Sequence, residues 1–197
     1  MRQGPNGEAI RDAFTLRAEW AVTAVDESKS ANREMFFTLE DLGGLTGIAR
    51  WLAVAELHRS TLDRMMATHY ARKAYVADRY LNRLVSLEAF DRQEHGTAGY
   101  KTVLQRCVAL AGKPITDLVP DHDKWTTRLK NDRNALAHHL SQLSRRASSD
   151  QLFLSDSAYW LYVICLLRKA NAPERVFERI GQNQQFLFLM RRLAKLF

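Results

Sequence analysis

The chain is 197 residues long, which fits one domain with a small appendage and allows a sizeable buried core. A hydrophobic share of 46% and a charged share of 26% place it among soluble globular proteins, and the two isolated cysteines, Cys107 and Cys165, exclude a Cys-x-x-Cys motif. A formal net charge of +7 suits a polyanionic partner; RNA, DNA and anionic membrane are all open on charge alone, as is a basic surface that binds nothing.

Residues 1–13 are polar, and the start, Met1-Arg2-Gln3-Gly4-Pro5, has no signal-peptide pattern. Phe14, Leu16, Ala18, Trp20, Val22 and Ala24 then recur with period two, as in a strand with one buried face. An amphipathic helix through Phe14, Ala18, Ala21, Val22 and Val25 competes with that reading. Asp26 to Arg33 has the composition of a loop, and Met35 to Leu39 reads as a second short strand, so the two runs can pair as an N-terminal β-hairpin. The expected division is an N-terminal segment over 1–44 and a helical domain over 45–197.

From Gly43-Gly44 onward the pattern is helical. A helix capped by Thr46 is expected to run to about Tyr70, with Ile48, Trp51, Leu52, Ala55, Leu62 and Met66 inward. Others are expected from Lys73 to Glu94, stopping at His95-Gly96, and from Tyr100 to Ala111, closed by Gly112 and Pro114. A fourth runs from Lys124 to Leu143 behind the turn signal Pro120-Asp121; Ser144 to Asp150 reads as a loop. A fifth over Asp156 to Lys169 is dense in aromatic and aliphatic residues and should be central. Within it, Ala158 to Leu167 is the longest apolar run, ten residues, too short to span a bilayer. A short helix from Pro173 to Gly181 and an amphipathic one from Gln184 to Leu196 complete the chain. Short connections favour antiparallel neighbours, so the fold class expected is all-α, an antiparallel helical bundle with the short β-hairpin as an N-terminal option.

The fourth helix carries the chemistry. Trp125, Leu129, Leu136, Leu140 and Leu143 are spaced by three, four and seven, and at about 100° per residue they fall within an arc of about 60°. Thr126, Lys130, Arg133, Asn134, Ala137 and His138 occupy the neighbouring arc, so Arg133, Asn134 and His138 form one polar stripe beside a buried seam. A guanidinium, a carboxamide and an imidazole at a seam edge can reach into a groove shared with a second helix or a second subunit. The Arg-x-x-x-x-His spacing also occurs at Arg64 and His69, read as helix surface; Asn134 directly after Arg133 separates the two. On the preceding helix Glu88 lies along the apolar stripe of Tyr80, Leu81, Leu84, Val85 and Leu87. A carboxylate there requires a partner, for which Arg133 and Lys130 fit, unless it reaches water at the stripe edge. His122 between Asp121 and Asp123 marks a helix start, read as a cap and not as a metal site.

The run Arg133-Asn134-Ala135-Leu136-Ala137-His138-His139 resembles the Arg-Asn-x-x-x-His signature of HEPN domains. Arg79 to Phe90 resembles the helix that precedes it in the ApeA-like HEPN branch, and the helix start at Trp51-Leu52 and the tail from Asn171-Ala172-Pro173-Glu174 to Gln185-Phe186 are similar to that branch too. The resemblance covers about residues 45–195. It implies a helical bundle that dimerises with two motif helices face to face, and a metal-independent endoribonuclease of a defence or toxin system, linked in this branch to abortive infection against phage. It also implies a larger strand-rich N-terminal domain, of which the run at 14–39 would be the end, so a regulatory domain or partner chain is expected.

Residue types fit that chemistry. Cleavage of RNA without a metal needs a base for the 2′-hydroxyl proton and a cation for the phosphorane. An imidazole such as that of His138 can exchange protons near neutral pH, and Arg133 offers a two-pronged fork to phosphate. Asn134 can orient either, with Glu88 and His139 in support and Lys130 on the RNA backbone. No cofactor is expected. The partners expected are RNA, tRNA included, and a second copy of the chain; the unpaired cysteines point to a reducing, cytoplasmic setting. The alternatives are a non-catalytic HEPN module that binds RNA or nucleotide or pairs with a toxin, and a structural adaptor in which His138 is an interface histidine, Arg133 pairs with Glu88 or Asp132, and Asn134 bonds across a dimer. A DNA-binding reading has no helix-turn-helix pattern behind it.

Overall fold

Thr38 opens the helical unit of this computed structural model, which describes residues 36–71, 75–138 and 147–197, with only the backbone of His138 and of 147–149. The run read as a strand from Met35 to Leu39 forms no strand over its described part. The Thr38 side chain accepts from the Asp41 amide at 3.1 Å while Asp41 Oδ2 accepts from the Thr38 amide at 2.9 Å. This reciprocal box starts a helix, α1 (Leu39–Leu42), where alternation alone suggested a strand. The companion run at 14–25 lies outside the described residues.

The chain then forms α2 (Gly44–Leu57), α3 (Arg59–Tyr70), α4 (Val76–His95), α5 (Tyr100–Ala111), α6 (Lys113–Leu118), α7 (His122–His138), α8 (Ala147–Lys169), α9 (Glu174–Gln182) and α10 (Gln184–Leu193). Residues 36–197 make one unit, an all-α helical bundle, with no strand among the described residues. None of the described helices is long and apolar enough to cross a membrane.

Two expected elements change at their ends. The single helix from Thr46 to Tyr70 is two helices, broken at His58, which is 1% exposed. Its imidazole meets Gln93 on α4 and packs on the Phe90 ring at 4.6 Å, and that inward side chain turns the axis. Leu52, expected inside, is 55% exposed, whereas Met65 on α3 is fully buried. Residues 147–150, expected as loop, are the first turn of α8; serine and aspartate there suit a helix start as well as a loop.

The broadest helix–helix contact is α4 on α8, and the core lies along it. Arg83 meets Asp156, Phe90 meets Tyr162 and Glu94 meets Lys169, so contacts advance along both helices together and the pair runs parallel. Thr68 on α3 meets Arg83, and His58, the residue just before α3, meets Gln93, the antiparallel sense expected of neighbours joined by a short link. The link 96–99 instead carries the chain back over α4. Gly96 adopts φ 68°, open to glycine, and Tyr100 then reaches the Leu84 carbonyl at 3.1 Å. α7 packs on α4 and α5, driving Trp125, Leu129 and Leu136 into the core; the Trp125 indole donates to Ser157 on α8 at 3.0 Å.

Candidate active site

α7 starts where Asp121 caps it: its Oδ1 accepts from the Lys124 amide at 3.0 Å. The Asp121–Asp123 cluster is therefore tied to helix initiation, and no group of three or more His, Cys, Asp or Glu among the described residues is placed to hold a metal ion. With its apolar seam buried, α7 turns the expected polar arc outward. Lys130, Asn134 and Ala137 are exposed and Arg133 is half-buried. Thr126 departs from that arc: it is 2% exposed and donates to the His122 carbonyl at 2.8 Å, so it is closed to any ligand.

Arg133 is the centre of the flank. One terminal nitrogen, Nη2, donates to Glu88 Oε2 at 2.9 Å; the other, Nη1, donates to Asn134 Oδ1 at 3.4 Å. Its guanidinium lies over the Tyr100 ring, 5.5 Å from the centroid. Glu88 is 8% exposed along its side chain, and its other oxygen pairs with Arg92 Nη2 at 2.7 Å. Two guanidiniums on one carboxylate leave a net positive charge on this flank, where Arg133 keeps 29% of its side chain exposed. The fork is thus fixed by three protein groups, Glu88, Asn134 and the Tyr100 ring, before any ligand arrives. Its Nε is sealed without a hydrogen-bond partner.

The structure brings Arg133, Asn134 and Glu88 together. Lys130 sits one turn before Asn134 on the same exposed flank, without a carboxylate partner among the described residues. His138 is the last residue of α7, one turn after Asn134, a spacing at which Cβ atoms stand about 5–6 Å apart on a helix. His139 lies outside the described residues.

Two neighbours escaped the sequence. Arg92 had a signal, the Glu88–Arg92 spacing of four on one helix. Tyr100, buried beneath Arg133, had none, because its position depends on the folded-back link 96–99. Burial holds its hydroxyl well above the usual range. Asp132, the other carboxylate that fitted Arg133 in the sequence, is engaged elsewhere. Tyr80 donates to it at 3.2 Å and Arg128 binds both its oxygens at 2.9 and 3.0 Å, yet burial raises its carboxyl above the ordinary 3.8. Asp132 is therefore committed to Tyr80 and Arg128, which leaves Arg133 to Glu88.

Chemically, the flank offers a preset guanidinium fork, a carboxamide beside it and an exposed lysine one turn away. That arrangement can grip a phosphodiester along the helix. Comparison of the chain with protein-family models, with curated proteins and with solved structures finds no match in any of the three.

Proposed function

We propose that the chain is a metal-independent endoribonuclease of the HEPN type, acting in phage defence or a toxin system in the cytoplasm. Two copies of the α7 flank, facing each other in a homodimer, make one composite site. The observation that carries the reading is the adjacency of Arg133 and Asn134 on an outward flank, with the Arg133 fork held ready by Glu88 and Tyr100. The Arg-Asn-x-x-x-His spacing supports it, as do two reduced, buried thiols.

In this reaction His138 takes the 2′-hydroxyl proton, and the 2′-oxygen attacks the adjacent phosphorus. The bond to the 5′-oxygen breaks, and the leaving oxygen takes a proton from an imidazolium on the other side of the site. The products are a 2′,3′-cyclic phosphate and a 5′-hydroxyl. Arg133 stabilises the phosphorane charge, Asn134 orients the phosphate or the imidazole, and Lys130 holds the strand.

A second reading draws on the same contacts. Both terminal nitrogens of Arg133 already have partners within the chain, which suits a binding or dimerisation module that does not turn over. The purified protein is incubated with total RNA and with tRNA beside Arg133→Ala and His138→Ala. Loss of cleavage in both variants, by about a hundredfold or more, supports the nuclease. Equal products from all three proteins refute it, and RNA binding without products selects the second reading.

A further inference from the structure

Away from α7, a cleft of about 460 Å³ opens among α3, α4, α8 and α10. None of Arg133, Asn134, Glu88 or Lys130 lines it. Its volume falls in the range of small-ligand sites. The aromatic rings of α8, Tyr159 and Trp160, are 8% and 4% exposed and close it inward, with Phe36 packed on Trp160 at 4.7 Å. Phe188 on α10 is 47% exposed beside Phe153. An exposed phenylalanine ring in a concave site is a surface on which a planar group can stack.

The charges of the cleft are unequal. Arg83, 2% exposed, is consumed inside the fold: it donates to Asp156 at 2.7 Å and to Ser155 and Thr68 at 3.2 Å each. Arg79, one turn earlier on α4, is half-buried; its Nη2 donates to the Ala71 carbonyl at 3.3 Å, and no described carboxylate pairs with it. Two arginines and one aspartate leave the lining at +1. Arg192 adds to this at the rim, its guanidinium 4.9 Å from the Phe188 ring centroid. The carboxamides of Gln184 and Gln185, also in the lining, each offer a donor and an acceptor.

A bare anion would leave the rings unused, and a neutral hydrocarbon would leave Arg79 uncompensated in a low-dielectric cleft. A planar heterocycle joined to a phosphate uses both, and its edge matches the carboxamides. We propose that this cleft binds a nucleoside monophosphate, with the base on the aromatic wall, the phosphate at Arg79, and Gln184 and Gln185 at the base edge. The ligand is either the free nucleotide or the phosphorylated end of an RNA strand. This site does not depend on the activity assigned to α7.

Calorimetric titration tests it with AMP and GMP, with adenosine and inorganic phosphate as half-ligands, and with a 5′-phosphorylated tetra-adenylate. Saturable binding of a mononucleotide or of the tetranucleotide is expected, with each half-ligand weaker by about tenfold or more. The tighter of the two nucleotide forms identifies the source. Arg79→Ala and Phe188→Ala should each weaken binding about tenfold, whereas Arg133→Ala should leave it unchanged even where it abolishes RNA cleavage. Both side chains are partly exposed, so both variants should fold; Arg79→Gln replaces Arg79→Ala if circular dichroism shows otherwise. No saturable binding, or equal affinity in the wild type and the Arg79 and Phe188 variants, overturns the proposal.

Discussion

Glu88 and Arg133, 45 residues apart in the chain, meet at 2.9 Å where α4 packs on α7. The carboxylate is nearly buried and the guanidinium half-exposed, so the pair is shielded from solvent on one side and open on the other. Its attraction is therefore stronger than that of a surface pair, and its loss leaves a charge that water reaches only partly. The same contact fixes the direction of the Arg133 fork.

Removing either partner should be costlier than removing both. Glu88→Ala is expected to destabilise the fold by about 2 kcal/mol, because Arg133 and Arg92 then repel across the vacated position. A double-mutant cycle with Arg133→Ala should give a coupling of about 1–2 kcal/mol by urea denaturation. A coupling near zero would mean that the pair adds nothing beyond geometry.

Asp132 gives a pH signature. Burial, the largest influence on it, raises its carboxyl above 3.8, so the folded chain holds that proton more tightly than the unfolded chain. Stability from this group is complete below 3.8 and falls as pH climbs through the folded value. Asp132→Asn cannot lose a proton. Its melting temperature minus that of the wild type should therefore increase between pH 4 and pH 7, as followed by circular dichroism. A flat difference contradicts the assignment.

Gly47 marks a close approach between α1 and α2. A Cβ there would stand 2.0 Å from the Leu42 carbonyl oxygen, a backbone atom that cannot rotate away. Gly47→Ala should cost about 1–3 kcal/mol and expose the α1 segment to limited proteolysis ahead of the rest. Unchanged cleavage and stability would show that the backbone yields freely.

Lys130 has no carboxylate partner among the described residues and is exposed on α7. If RNA lies along that flank, Lys130→Ala should weaken binding across sequences and reduce the slope of log affinity against log salt by about 0.7–0.9. An unaltered slope would place the strand elsewhere.

Helix periodicity was enough to read the bundle, because each helix buries a stripe whose spacing survives in the sequence. α5 matched residue for residue, from Tyr100 to Ala111. α6 was missed, since six residues are too few to show a period. The break at His58 was missed because its cause is a contact with Gln93, 35 residues away. At α7, the wheel correctly set Arg133 and Asn134 beside a buried seam but also admitted Thr126, which a backbone bond draws inward. The Glu88–Arg133 pairing was legible as a need for a partner. The ring of Tyr100 beneath it was not, because the path of the link 96–99 leaves no periodic trace.

α4 carries both Arg83, which closes the aromatic cleft, and Glu88, which holds Arg133, five residues apart and about 7.5 Å along one axis. A rigid rod cannot slide or roll at one of these positions without doing so at the other. One helix thus serves as wall to the cleft and as anchor to the arginine, and a substitution that displaces α4 would disturb both places at once.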